Sequence, residues 1–316
     1  MRANMVVLFC LICLQGFGCD TAETSVKKGI NYKIRPCTFS SKQFAIDINQ
    51  IDKLNYDFVR LLIEPCVVSQ DFEISHSMIF ITIYKEIDSV LNYHGLKSYI
   101  SLHKYKSPSD SIRNIHRMFW HSDHLDSSLT DFKRVVLNTC RYETVLGYSW
   151  IEEPQIRNLN GIEARIEGIH AIQQELVTWI NKNAKGKKIL VSTSMGAHVN
   201  GYKNMQVYNG ENVIYNFYMF SPKNIVQGNS RYPGTVSGRF WDSKAIAKHI
   251  DHVITFARAN NVDIMCGSYG CNNYNADCTE YLKDLESLFV NRGVPYSYHV
   301  YNGHQKWSLK KKKKLD

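Results

Sequence analysis

The chain has 316 residues, 44% of them hydrophobic and 21% charged, which excludes the disordered and fibrous classes and leaves room for one large domain or two modest ones. Its net charge is +9, but residues 306–316 hold six lysines and one aspartate and supply five of those charges. Basic charge gathered in one terminal run, not spread over a face or groove, argues against a nucleic-acid binder and for a solvated tail over 308–316.

The first element, residues 1–19, has the form of a secretory signal: Arg2 as its basic start, an apolar run over 5–14, then Gly-Phe-Gly-Cys-Asp. The run is too short to span a bilayer. Cys19 stands where a lipid-modified cysteine would, although Gly16 and Phe17 fit such a signal poorly. No other stretch is apolar enough to cross a membrane. The mature chain is therefore expected to be exported, whether secreted, periplasmic or at the cell surface, and monomeric.

From 27 to 307, apolar runs of strand length alternate with helical periodicity. Strands are expected over 29–34, 57–63, 97–102, 145–151, 188–193, 213–220, 262–267 and 296–301. The clearest helix is 161–183, with Ile162, Ile166, Ile169, Ile172, Leu176 and Trp179 on one stripe, and 244–259 and 279–291 repeat the pattern. The strands are near-continuous apolar runs, as parallel strands buried on both faces are. Eight strands with crossovers, no G-x-G-x-x-G after the first and no linker predict an α/β chain folded as a single (β/α)8 TIM barrel over 27–307. The last strand is followed almost at once by the lysine run, so a final helix is short or absent.

Cysteine use fits export loosely. Cys271 and Cys278 flank the polar loop N-N-Y-N-A-D and are expected to form a disulfide. Cys37 and Cys66 each follow a strand and are placed to meet, while Cys140 and Cys266 are expected to be buried thiols. No cysteine set has zinc spacing, and no nucleotide or flavin pattern occurs, so no cofactor is expected.

A barrel of this kind works at the C-terminal ends of its strands. The residues there are Arg60 and Glu64, His103 and Tyr105, Glu152 and Glu153, Tyr218 and Phe220, Ser268, and near the end Tyr301 and Trp307. Trp241, placed in a loop, is a further candidate sugar platform.

At these positions the chain resembles glycoside hydrolase family 5, the cellulase-type group, from about Gly29 to Trp307. G-I-N-Y resembles the family's first strand. F-V-R-L-L-I-E-P puts Arg60 at the arginine that supports the nucleophile, and S-L-H-K-Y puts His103 at a substrate-contacting histidine. W-I-E-E-P resembles the Asn-Glu-Pro signature, with Glu153 as acid/base. V-I-Y-N-F-Y-M-F-S-P and V-D-I-M-C-G-S-Y-G resemble the sixth and seventh strands. The resemblance implies a carbohydrate partner, a β-glucan-type polysaccharide or oligosaccharide, bound by Arg60, His103, Glu152, Tyr218, Trp241, Tyr301 and Trp307.

The departures bear on activity. Glu152 replaces the asparagine before the acid/base, Tyr218 and Phe220 replace a histidine and a tyrosine, and Ser268 stands at the position of the nucleophilic glutamate. Retaining hydrolysis needs two carboxyl groups about 5–5.5 Å apart, and a serine hydroxyl is a poor nucleophile without a strong adjacent base. Glu152 and Glu153 are consecutive and point apart, so they do not form a dyad. Tyr269 as a nucleophile would have to point the same way as Ser268, against strand alternation. Three readings stay open. One is an exported glycan-binding barrel with hydrolysis lost or impaired. Another is a working glycosidase in which Glu64 or Asp242 replaces the nucleophile or activates water, about 6.5–9.5 Å from Glu153 if inverting. The last is a scaffold whose tail or loops bind an acidic partner.

Overall fold

The computed structural model describes residues 26–64, 76–102, 122–150 and 162–310. In chain order these form β1 (Lys28–Ile34), α1 (Ser41–Lys53), β2 (Phe58–Ile63), α2 (His76–Tyr93), β3 (Lys97–Leu102), α3 (Ser122–Thr139), β4 (Val145–Ser149), α4 (Ile162–Asn183) and β5 (Lys188–Ser192). There follow β6 (Val213–Met219), α5 (Lys223–Val226), β7 (Gly234–Val236), β8 (Arg239–Trp241), α6 (Ser243–Asn260), β9 (Asp263–Tyr269), α7 (Cys278–Asn291) and β10 (Tyr296–Tyr298). Eight strands close a parallel barrel in the order β1-β10-β9-β6-β5-β4-β3-β2, which is the expected (β/α)8 architecture. The signal over 1–19 and Cys19 lie outside the described residues, and none of the described helices is long and apolar enough to cross a membrane.

Local chemistry explains the helix ends. Ser40 caps α1 by accepting from the Gln43 amide at 3.2 Å, and Asp242 caps α6 by accepting from Ala245 at 2.8 Å. Asn261 closes α6 in the left-handed conformation, φ 51°, which asparagine tolerates better than most side chains. The inner face of α6 buries Ile246, Ile250 and Val253, and that of α7 buries Tyr281, Leu285 and Phe289.

Strand alternation sorts the barrel into layers. Val59, Leu61, Ile63, Tyr215 and Phe217 join the shell between strands and helices. On the other faces, Phe58, Tyr99, Leu190, Ile214 and Met265 form a separate apolar cluster near the strand starts. Above it lies a polar layer of buried Asn31, Arg60, Ser192, Asn216, Ser268 and Ser297.

The antiparallel hairpin of β7 and β8 went unforeseen. It turns on Ser237 (φ 51°) and Gly238 (φ 75°), two successive left-handed residues, as a two-residue hairpin loop requires. The expected Cys271–Cys278 disulfide is corrected: both are free thiols, as are Cys140 and Cys266. Cys278 hydrogen-bonds Cys271, which lowers the Cys271 pKa, while the same bond and burial raise that of Cys278. The turn between them is held by asparagine side chains instead. Cys37 is disulfide-bonded, and its partner lies outside the described residues, as Cys66 does. Cys140 is half-buried, not buried. The start of the lysine run is not free either: Lys310 pairs at 2.8 Å with Asp47, a buried carboxylate that also accepts from Tyr32 at 2.8 Å.

Candidate functional site

The site is built from the polar layer upward. β9 carries one extra residue against β6: Phe217 pairs with Cys266, but Tyr218 pairs with Ser268. Such a bulge re-aims the side chains that follow it. Without it, Ser268 would share the outward face of Cys266. With it, Ser268 is 3% exposed and accepts from Asn31 Nδ2 at 3.2 Å. Tyr269 is turned outward, where its hydroxyl donates to Glu286 of α7 at 2.6 Å, so it is no nucleophile for this face. The extra residue is Gly267, and a Cβ there would lie 2.0 Å from Asn216 Oδ1 and 2.7 Å from Arg60 Nη1.

Arg60 donates to the Gly267 carbonyl, which also accepts from Asn31 Nδ2 at 3.1 Å. Asn31 Oδ1 accepts from Ser297 at 2.8 Å, and Asn216 Nδ2 donates to Ser192 at 2.9 Å. The guanidinium is thus held against the backbone beside Ser268. Glu64, just past the end of the same strand, does not pair with Arg60. Glu64 pairs instead with Lys33 at 2.8 Å and Arg35 at 2.6 Å. Burial works against the Glu64 carboxylate, but these two cations outweigh it and hold its pKa below the ordinary range. Asp242 is engaged as the α6 cap. Both carboxylates considered as replacement nucleophiles therefore have structural partners.

Beyond the polar layer the barrel opens into a cavity of 460 Å³ lined by His198, Phe220, Ser221, Lys223, His299 and Trp307, among others. Phe220 meets His299 at 5.5 Å and Trp307 at 6.1 Å between ring centroids, both edge to face. Tyr218 meets Phe220 at 6.4 Å. Among the described residues, no carboxylate lines this cavity. A larger cavity of 970 Å³ lies at the opposite end, among the strand starts, where Phe58, Lys97, Leu146, Lys188, Ile214 and Asp263 contribute; strand-end chemistry is remote from it.

His198 Nε2 lies 3.3 Å from Ser221 Oγ, which raises the possibility of a serine–histidine nucleophile. Its Nδ1, however, accepts from the Asn200 amide at 3.1 Å. In the neutral ring Nε2 then carries the proton and donates to Ser221, so it cannot withdraw one. Burial lowers the His198 pKa, which keeps the ring neutral.

The expected residues are partly brought together. Arg60, Ser268 and Tyr218 share the barrel interior, and Trp307 lines the cavity above. Two are elsewhere. Tyr301 is buried, stacked on Tyr32 at 6.1 Å, because the last strand ends at Tyr298 and not at 301. Trp241 is 7% exposed, covered by the Arg239 guanidinium at 4.5 Å and by His249 at 5.3 Å, so it offers no open platform. His103, Glu152 and Glu153 lie outside the described residues. The sequence reading missed Asn31, His198 and His299. His299 directly follows the true end of β10, and the apolar Val300 and Tyr301 disguised that end.

In sequence the chain matches no family model and no curated protein. Its fold does match solved structures. The clostridial cellulose synthase subunit Z from Clostridioides difficile is 19% identical, with a TM-score of 0.68 over 90% of this chain and 94% of that one. A hyperthermophilic endo-β-1,4-glucanase in complex with substrate is 15% identical, TM-score 0.71, over 90% and 92%. Cel5A of Thermotoga maritima in complex with mannotriose is 14% identical, TM-score 0.68, over 90% and 92%. At these identities the likeness establishes the fold alone, a single (β/α)8 barrel.

Proposed function

We propose that the chain binds β-linked glycan at the strand-end mouth of a family-5-like barrel, and that hydrolysis there is lost or severely reduced. Ser268 carries the reading. It stands near the end of β9, where the resemblance implies the attacking glutamate, and it presents a hydroxyl that accepts from Asn31. No basic side chain among the described residues hydrogen-bonds it, so nothing there generates an alkoxide. Among the described residues, no carboxylate stands at the β9 position from which the resemblance implies attack on the anomeric carbon opposite Glu153, the acid/base by resemblance. Binding needs less. Phe220 and Trp307 at the cavity supply aromatic faces and edges of the kind that receive the apolar side of a sugar ring. Structural neighbours solved with glucanase substrate and with mannotriose support a gluco- or manno-configured ligand. Export by the segment 1–19 would place the protein where such polysaccharides occur.

The test is reducing-sugar release from β-glucans, mannans and xylans, beside retention of the protein in glycan-containing gels. The mature protein is compared with Glu153→Gln and Ser268→Glu. The expected result is retention without release for the mature protein and for Glu153→Gln. Ser268→Glu is expected to gain about 100-fold or more in rate on an aryl β-glycoside, the scale one catalytic side chain supplies. Release by the mature protein that disappears in Glu153→Gln would overturn the loss of hydrolysis, and absence of retention on every glycan would overturn binding.

A further inference from the structure

Resting on that glycan reading, we propose that Tyr274 is a second stacking platform that makes the site sensitive to oligosaccharide length. One sugar ring would lie at Trp307 and a more distal ring on Tyr274.

The loop between β9 and α7 reads N-N-Y-N over residues 272–275, and its three asparagines are committed to holding it. Asn272 donates to the Gln227 carbonyl at 2.9 Å and accepts from the Tyr274 amide at 3.1 Å. Asn273 donates to the Ser308 carbonyl at 2.8 Å and accepts from the Tyr298 hydroxyl at 3.1 Å. Asn275 accepts from the Asp277 amide at 3.1 Å. Backbone bonds add to this, from Asn272 to Val226 and from Asn273 to Lys306, both at 2.8 Å.

Those anchors sit on two walls of the mouth. Val226, Gln227 and Trp307 line the cavity, and Lys306 and Ser308 flank Trp307 in sequence. Tyr274 is the side chain of the four that the loop does not use internally. Tyr274 is 67% exposed as a residue, and its hydroxyl reaches Gln305 at 3.4 Å, two residues from Trp307. A fixed backbone that presents one aromatic ring to solvent beside a cavity suits stacking, because little conformational freedom is lost when a ligand settles on it.

The experiment is isothermal titration of the mature protein with β-1,4-linked gluco- and manno-oligosaccharides of increasing length, from disaccharide to hexasaccharide. Wild-type affinity should rise with length. Tyr274→Ala should lose about tenfold on the longest ligands, as truncation of a contact aromatic does, with the disaccharide unaffected, and Tyr274→Phe should behave as wild type. The exposed ring makes the Ala variant fold normally, which its thermal midpoint checks. Equal affinity of wild type and Tyr274→Ala for the hexasaccharide, with Trp307→Ala weakened, overturns the platform while leaving the glycan reading in place. No binding of any oligosaccharide by wild type overturns both.

Discussion

Halfway along the barrel, Arg60, Asn31, Asn216, Ser192, Ser297 and Ser268 are buried and interlocked by short polar contacts. At the rim, Phe220, His299 and Trp307 meet edge to face around an open cavity. In a retaining hydrolase the inner layer must hold a carboxylate aimed at the sugar. Here the described residues present hydroxyls and amides, most of them hydrogen-bonded to one another, with a guanidinium donating to a carbonyl. On the proposed reading the rim would receive the ligand. Binding and bond cleavage would then draw on separate layers of one barrel, so that one could be lost without the other.

If the inner layer is structural, it should be intolerant of small changes. The largest effect is expected at Gly267→Ala. A Cβ 2.0 Å from Asn216 Oδ1 and 2.7 Å from Arg60 Nη1 forces these buried side chains, or the bulge, to move, and overpacking of this kind costs about 3 kcal/mol. Denaturant unfolding reads it directly, and a variant as stable as wild type would mean that the Asn216 and Arg60 side chains yield freely. Asn31→Ala should follow. It removes donors to Gly267 and Ser268 and strands the Ser297 hydroxyl, for a loss of about 2 kcal/mol. The rim should behave in the opposite way. Trp307→Ala is expected to weaken glycan binding by about tenfold or more while changing stability less than either inner-layer variant. A Trp307 variant that unfolds as readily as Gly267→Ala would erase the distinction between the layers.

The same contrast decides what was legible in the sequence. The eight strands could be placed because buried parallel strands are long apolar runs, and α6 and α7 because their stripes are regular. Ser268 could be singled out as the residue at a strand end. That it faces inward could not, because the bulge at Gly267 shifts the alternation by one residue and the cause lies in the facing Asn216 and Arg60. Val300 and Tyr301 extend the apolar run past the true end of β10, which hid His299 and promoted Tyr301. The hairpin that buries Trp241 was marked by Ser237-Gly238, a short signal that reads equally well as a loop. Lys310 looked solvated because its partner, Asp47, lies 263 residues away.

The smallest expected effect concerns the support behind the rim. His249 of α6 packs between Trp241 and His198, at 5.3 Å and 5.7 Å, and its Nε2 is buried without a hydrogen-bond partner. Burial first, then the neighbouring His198, Arg239 and His252, push its pKa down from 6.5 to about 4. Between those two values the unfolded chain binds a proton that the folded chain refuses, so stability falls as pH drops through that window and the contribution levels off below it. Glu64, whose folded pKa is lowered, loses its contribution as pH falls from the ordinary carboxylate value, so it bears on the lowest part of this window alone. His249→Gln should flatten the slope by less than the ~1.4 kcal/mol per pH unit of a whole proton. His170 and His198, also lowered by burial, keep the remainder of the slope in both proteins. Parallel stability curves for wild type and His249→Gln across that window would mean that His249 is protonated in the folded chain, and that the contact supporting the hairpin is made by a charged ring.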